Sequence, residues 1–187
     1  ARRAVSHGDC DVALVIGVDS LTQFGGGTIP LVDDDWEISQ GMTMPALYAM
    51  RARRYMHEFG ATVEQLAKVS VKARSHGARN PDAQFQKSVT VEEVLGSRPI
   101  ADPLTLLQCC PTGDGAAAAI ICASDVAGRF EAEPVKILAS ELCSGKFTNG
   151  FRDMTSMEIA VRGAGIAYEQ AGLGPDDIDV AEVRDAF

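Results

Sequence analysis

The sequence predicts an α/β protein, because apolar segments of strand length alternate with segments that carry helix-start signals. Residues 12–17 form a continuous apolar run, as a strand buried on both faces requires, and residues 135–140 are mainly apolar. Thr62, Thr90 and Thr155 are each followed three residues later by Gln or Glu, the pattern of a capping box. Near the end of the chain, strand, helix and strand follow in order, which predicts a parallel, right-handed unit.

The first part of the chain predicts the tail of a helix, a strand and a loop. Residues 1–6 are interpreted as the last turns of a helix that closes at Gly8. The strand over residues 12–17 follows. Residues 24–39 are glycine-rich, then acidic, and contain the sole tryptophan, so they predict a surface excursion. Residues 25–27 lack the strand and helix that flank a phosphate-binding loop, and we interpret them as flexible loop.

The middle of the chain, residues 39–107, predicts a mainly helical block inserted between sheet strands. Its three helices are expected from Pro45 to about Gly60, from Thr62 to residues 76–77, and from Thr90 over a shorter length.

The last part returns to the sheet. Residues 114–123 contain four successive alanines, which favour helix, but a glycine before them and Ile-Ile-Cys after them favour a central strand. Residues 130–133 mark a possible boundary between lobes. Strand 135–140 comes next, then a helix that begins at the capping box of Thr155 and ends at Gly172, and then a strand that contains Val180 and Val183.

Composition and charge exclude several functions. The formal net charge of −9 would repel a phosphate backbone, so nucleic acid is not an expected partner. An anionic ligand stays open, because basic residues cluster in the middle third, although such a cluster is more often a solvated helix face. These are Arg51, Arg53, Arg54, Lys72, Arg74, Arg79 and Arg98. No apolar run has the length of a membrane span and no signal peptide is evident, which favours a cytoplasmic location.

The cysteines and histidines predict neither a disulfide framework nor a metal site. The five cysteines include no C-x-x-C pair, and their odd number argues against closed pairing. His57-Glu58 begins like a zinc-protease motif, but Ala61 stands where the second histidine is required. We predict small core residues or loop thiols for all five cysteines and no metal.

Five segments, in chain order, carry a resemblance to a known family. They are GDCDVALVIGVD at residues 8–19, GMTMP at 41–45 with RRYMHEFG at 53–60, NP at 80–81, CCPTGDGAAA at 109–118, and the stretch from 171 to 187 that ends in EVRDAF. Together they resemble the thiolase superfamily, in its branch of sterol-carrier and lipid-transfer thiolases and related aldolases.

The resemblance implies a layered α/β/α/β/α architecture of two similar halves, present here incompletely, with an inserted helical loop domain. Residues 1–38 would end the N-terminal half, residues 39–107 would form the loop domain, residues 108–132 would complete the first half, and residues 133–187 would begin the C-terminal half. The family usually assembles as a dimer, so a homodimer or larger oligomer is expected.

The family's chemistry implies an acyl-CoA thioester as substrate, so that coenzyme A is a substrate and no cofactor is expected. A nucleophilic cysteine begins the family's equivalent of the first helix, about ten positions before Ala1. Its Gly-His-Pro histidine and second cysteine would follow Phe187. None of the five cysteines occupies those positions, so this chain alone is expected to be inactive.

The resemblance assigns candidate site residues. Arg184-Asp185-Ala186-Phe187 stands where thiolases carry Asn-Glu-Ala-Phe and the sterol-carrier branch carries His-Asp-Cys-Phe. Arg184 would donate to an oxyanion or carboxylate. The alternative is a structural ion pair with Asp185 or Glu182.

Candidate residues for coenzyme A binding lie in two other segments. Ser39, Gln40, Gly41 and Met42 resemble the loop that lines the pantetheine and acyl pocket, and Ser140 falls near a pantetheine contact. Met42 could equally be ordinary core packing.

Three functions follow as hypotheses. The first is a segment of a thiolase-like acyltransferase that makes or breaks a carbon–carbon bond in lipid, sterol side-chain or aromatic-acid metabolism. The second is a catalytically silent subunit, or an aldolase variant, that works with an OB-fold acyl-CoA-binding protein. The third is a free-standing α/β interaction domain.

Overall fold

The computed structural model describes residues 1–25, 36–145, 153–184 and 186–187. The helices and strands of these residues are α1 (Arg2–Ser6), β1 (Val12–Ser20), α2 (Trp36–Ser39), α3 (Met44–Phe59), α4 (Val63–Gly77), α5 (Val91–Leu95), β2 (Pro99–Ala101), β3 (Leu104–Thr105), β4 (Asp114–Cys122) and α6 (Glu158–Ala171). Short 3-10 turns cover Leu21–Phe24, Leu106–Gln108, Ala127–Arg129 and Pro175–Asp177.

The chain divides into two compact units. The first comprises Ala1–Ser20, Asp114–Asn149 and Met157–Glu182, and the second comprises Leu21–Gly113, Gly150–Ser156 and Val183–Phe187. Among the described helices, none combines the length and the apolar character needed to cross a bilayer.

The first unit is built on an antiparallel pair of strands. β1 pairs with β4 so that Val12 lies opposite Cys122 and Ser20 lies opposite Asp114. The predictions of a strand at residues 12–17 and of another at residues 114–123 are confirmed. The alanine run is therefore extended, and its pairing with β1 overrides the small helix preference of each alanine.

The predicted burial of β1 on both faces is wrong for the described residues. Leu14 and Ile16 are 64% and 65% exposed. In the described part of the chain, β4 is the only strand that pairs with β1, and helix α1 packs against β4. The apolar run has the composition of a central strand, but a strand is buried on both faces only where other elements cover both faces.

The predictions of two further strands and of a parallel unit are also wrong. Residues 135–140 and 178–183 are described and belong to no ladder, and Val135 and Val180 are 91% and 83% exposed. An apolar segment becomes a strand only when a neighbour accepts and donates its backbone hydrogen bonds. Neither segment has such a neighbour within the described residues, and the observed pairing of β1 with β4 is antiparallel.

Helix α6 ends where the sequence predicts and begins later. Gly172 closes it with φ 67°, as a left-handed cap requires. The predicted capping box at Thr155 is wrong, since α6 begins at Glu158. The carboxylate of Asp153 instead accepts the Thr155 hydroxyl and backbone N–H, at 2.8 Å each, and holds a turn before the helix. The pKa of Asp153 is lowered by these bonds, first by the backbone donor Thr155.

The helices of the second unit follow their sequence signals closely. Helix α3 has Pro45 in its first turn and ends at Gly60 with φ 68°. The capping boxes of Thr62 with Gln65 and of Thr90 with Glu93 are both complete. In each, the threonine side chain accepts from the backbone N–H of the later residue, and the side chain of that residue accepts from the threonine backbone N–H. Because these signals act over three residues, they place helix starts without knowledge of the tertiary fold. The predicted excursion over residues 24–39 lies mostly outside the described residues, except that residues 36–39 form α2.

A buried hydrogen-bond cluster joins α5 to the turn after β3. The Thr105 hydroxyl donates to the carbonyl of Val94 at 2.7 Å, and the Thr105 backbone N–H donates to Oε1 of Gln108 at 3.0 Å. Val94 is fully buried, and Thr105 and Gln108 are nearly so. This cluster fixes the turn Leu106–Gln108, whose next residue is Cys109.

Candidate functional site

The second unit contains a cavity of about 320 Å³. Its lining comes from the C-terminal half of α4, from a loop after that helix, from the segment after the Leu106–Gln108 turn, and from the last two residues. The lining residues are Val69, Ser70, Ala73, Arg74, Gly77, Ala83, Gln84, Phe85, Leu107, Gln108, Cys109, Cys110, Pro111, Ala186 and Phe187.

Two glycines let the loop of Gln84 and Phe85 lie against its neighbours. A Cβ on Gly77 would lie 2.8 Å from the carbonyl oxygen of Phe85, and one on Gly113 would lie 2.7 Å from Oε1 of Gln84. Nε2 of Gln84 donates to the Thr112 carbonyl at 3.2 Å. The loop is thereby held between α4 and the Cys110–Gly113 segment, which shapes one wall of the cavity.

Residues 186 and 187 are anchored beside the cavity. The backbone N–H of Cys110 donates to the carbonyl of Ala186 at 2.8 Å. The ring of Phe187 stacks on Tyr48 of α3, with 4.5 Å between centroids and 21° between planes. These two contacts fix the end of the RDAF tetrad in the cavity wall.

The two cysteines in the wall differ in environment. Cys110 is exposed, whereas Cys109 is half-buried and its thiol donates weakly to the carbonyl of Thr105 at 3.5 Å. The pKa of the Cys109 thiol is raised, chiefly by burial and also by the neighbouring Cys110. Cys109 is therefore the less accessible thiol of the wall, and Cys110 is the exposed one.

Iodoacetamide at neutral pH is expected to alkylate Cys110 about ten times faster than Cys109, because only the accessible thiolate reacts. Fragment-ion mass spectrometry of the peptide that carries both residues measures the two rates. Cys109 should stay slow in a Cys110→Ser variant, and Cys10 of the other unit serves as a reference thiol. Equal rates at Cys109 and Cys110 would contradict the described burial.

Comparison with known proteins places the chain in a family. The profile of the thiolase N-terminal domain matches residues 1–125. The chain belongs to the thiolase family. An acetyl-CoA acetyltransferase of Methanothermobacter thermautotrophicus is 44% identical over 188 residues, which is 98% of this chain and 49% of that protein. The benzoylsuccinyl-CoA thiolase subunit BbsB of Thauera aromatica is 40% identical, over 100% of this chain and 49% of the subunit.

The sterol-carrier and aldolase resemblance is also confirmed. Sterol carrier protein 2 of Oryctolagus cuniculus is 32% identical, over 100% of this chain and 37% of that protein. The solved structure of the Ltp2-ChsH2(DUF35) aldolase superposes with a TM-score of 0.80 at 33% identity, over 94% of this chain and 48% of that one. The fold is thus thiolase-like, and the chain spans about half the length of the acetyl-CoA acetyltransferase and of the BbsB subunit.

Arg184 of this thiolase-family chain is exposed and lies outside the cavity lining. Within the described residues it forms no ion pair with Glu182. Asp185, its other proposed partner, lies outside the described residues. Arg184 is two residues from the anchored Ala186, and its catalytic role stays a prediction.

The predicted coenzyme A-binding residues do not line the cavity either. Ser39 ends α2, where its hydroxyl donates to the Trp36 carbonyl at 2.7 Å. Gln40, Gly41 and Met42 continue the turn after α2, and Gly41 has φ 94°. Ser140 belongs to the first unit and to no strand. Their binding roles stay predictions.

Sequence reasoning missed the α4 wall and Phe85. The resemblance had selected residues 80–81, 109–118 and 171–187. The cavity lies where parts of 109–118 and 171–187 approach α4 and the loop that follows residue 81. Arg74 was grouped only with surface charges. Across the described residues, no three potential metal-ligating side chains come together.

Proposed function

We propose that this chain is part of a thiolase-type enzyme that binds an acyl-CoA thioester in the cavity of the second unit and makes or breaks a carbon–carbon bond. The observation that carries the proposal is that Cys109–Pro111 and Ala186–Phe187, two segments by which the chain resembles thiolases, line the same cavity. The names of its relatives, acetyl-CoA acetyltransferase and benzoylsuccinyl-CoA thiolase, support the substrate class.

The size and lining of the cavity suit a slender, mostly apolar arm. A volume of about 320 Å³ lies at the lower end of the range for ligand pockets. Its walls combine apolar groups such as Val69, Phe85 and Phe187 with the amides of Gln84 and Gln108. A pantetheine arm has alternating methylene and amide groups, which match such walls.

The proposed chemistry divides between this chain and the rest of the enzyme. Arg184, outside the cavity lining, would donate to the oxyanion of the thioester, and Ala186 and Phe187 in the cavity wall would hold the acyl-bearing arm. None of the five cysteines is assigned as nucleophile, and we propose that the family's reactive thiol belongs to sequence outside these 187 residues. Ser39, Gln40, Gly41, Met42 and Ser140 remain proposed coenzyme A contacts. The proposed assembly is a homodimer or larger oligomer in the cytoplasm.

The test is binding and turnover by the full-length protein. Isothermal titration should detect coenzyme A binding, and a 3-oxoacyl-CoA should be cleaved by free coenzyme A to acetyl-CoA and an acyl-CoA shortened by two carbons. A cavity variant, Ala73→Trp, is expected to lose binding, whereas Ala52→Trp on α3, outside the cavity lining, should not. Binding that survives Ala73→Trp would contradict the assignment of the cavity.

A second function is favoured by two observations. One relative is named as a thiolase subunit, and the superposed aldolase includes a DUF35 protein. Arg184, in place of the asparagine or histidine of the family, is consistent with an aldolase variant or a silent subunit. In that case turnover should appear only when an OB-fold acyl-CoA-binding partner is added, and coenzyme A affinity should be weak without it.

A further inference from the structure

We propose that Arg74 binds an oxyanion of the cavity's ligand, so that the cavity selects amphipathic anions over neutral thioesters. The oxyanion is a phosphate of coenzyme A or a carboxylate on the acyl chain. The inference rests on the proposed function for the identity of that ligand, and it assigns to Arg74 the recognition of the ligand's anionic group.

Arg74 is held in place by an aromatic ring. Its guanidinium carbon lies 3.9 Å from the ring centroid of Phe85, and both residues line the cavity. A guanidinium over a ring face is attracted to it and keeps its N–H groups in the guanidinium plane, free to donate outward. The last turn of α4 carries Arg74, and Gly77 in the same turn leaves room for the Phe85 carbonyl, which would lie 2.8 Å from a Cβ at that position.

The charge of Arg74 has no carboxylate partner among the described residues. The cavity lining contains no Asp or Glu, and the ion pairs of the described chain do not include Arg74. Two other arginines of the same unit are paired, Arg53 with Asp102 and Arg54 with Glu58. Arg74 is half-buried, so its charge is partly removed from water and gains from an anionic partner.

The remaining lining defines the rest of the ligand. Apart from Arg74, the walls are apolar or neutral and polar, so a ligand must present an apolar arm together with one anionic group. Arginine recognises phosphate and carboxylate oxygens through two parallel N–H bonds, which a neutral ligand cannot accept equally well. The proposed contact between Arg74 and the ligand's anionic group would therefore supply both affinity for the ligand and selectivity against neutral molecules.

The test compares three probes on the full-length protein. Coenzyme A carries phosphates, pantetheine carries none, and glutaryl-pantetheine carries a terminal carboxylate without phosphate. Kd for each is measured by calorimetry for the wild type, for Arg74→Met, which keeps a long side chain over Phe85, and for Lys72→Met. Lys72 is exposed on the same helix and lies outside the cavity. Its replacement removes one positive charge, as Arg74→Met does, but leaves the cavity lining unchanged.

Arg74→Met is expected to raise Kd about tenfold for one anionic probe and to leave pantetheine within twofold. An effect on coenzyme A identifies a phosphate, and an effect on glutaryl-pantetheine identifies a carboxylate. Lys72→Met should change every Kd by less than twofold. As a measurement independent of any variant, Kd of the wild type for the anionic probe should rise with ionic strength while that for pantetheine stays constant.

Equal weakening of all three probes in Arg74→Met would show a packing role and overturn the proposal. Unchanged affinities, with no salt dependence in the wild type, would also overturn it. A wild type that binds none of the probes would instead overturn the proposed function of the cavity, which separates the two failures.

Discussion

Replacing Arg184 with alanine is expected to lower kcat of the full-length enzyme about 100-fold while Kd for coenzyme A stays within about twofold. The guanidinium is proposed to donate to the oxyanion that develops on the thioester, a contact stronger in the transition state than in the bound substrate. Removing one such donor typically costs two to three orders of magnitude in turnover. Steady-state thiolysis together with calorimetric binding measures both quantities.

A matched control separates catalysis from general loss of charge. Arg79 is also an exposed arginine of the second unit, outside the cavity lining, and Arg79→Ala should leave kcat within twofold. If Arg184→Ala lowers the melting temperature but not kcat, the alternative of a structural ion pair with Asp185 holds. Unchanged turnover would remove Arg184 from the site in either case.

Replacing Thr105 with valine is expected to lower the free energy of unfolding by about 2 kcal/mol. Valine matches threonine in shape but removes the single hydroxyl hydrogen, which faces the Val94 carbonyl at 2.7 Å and, more distantly, Gln108 Oε1 at 3.1 Å. Thr105 is only 8% exposed, so water cannot readily replace the lost donor. Denaturant unfolding followed by circular dichroism measures the change.

Thr43→Val is the control for this prediction. Thr43 precedes α3, is exposed, and makes no capping hydrogen bond through its side chain. Its replacement should change the free energy of unfolding by less than about 0.5 kcal/mol. Because the Thr105 cluster fixes the turn before Cys109, Thr105→Val should also weaken coenzyme A binding, which Thr43→Val should not. Similar stability changes in both variants would contradict the buried network.

The sequence predicted the parts of the fold that depend on local chemistry. The capping boxes of Thr62 and Thr90 and the glycine closures at Gly60 and Gly172 act within a few residues, and the structure contains all four. The box at Thr155 failed because Asp153, two residues earlier, accepts the Thr155 backbone N–H that a capping box would donate to Glu158. A capping pattern does not indicate which of two nearby acceptors a threonine will use.

Strand prediction failed where partners decide the outcome. Residues 12–17 and 135–140 are both rich in apolar residues, but only the first segment has a hydrogen-bonding neighbour among the described residues. Ladder pairing joins residues about a hundred positions apart, Val12 with Cys122 for example, and no local pattern encodes that pairing.

The candidate site was predictable as a set of segments but not as an arrangement. The resemblance selected the Cys109–Cys110 segment and the tetrad at the end of the chain, and the structure brings Cys110 and Ala186 into hydrogen-bond contact. The role of α4 depends on which of its faces meets the Phe85 loop. Arg74 and Lys72 are equally basic in the sequence, and only tertiary packing places Arg74 in the cavity.

The most direct test of the account is a crystal structure of the full-length protein with a non-hydrolysable thioether analogue of an acyl-CoA. We predict density for the pantetheine arm between Phe85 and Phe187, in contact with the Cys109–Pro111 segment. An empty cavity, with the analogue bound instead elsewhere on the protein, would contradict the central claim that this cavity receives the thioester.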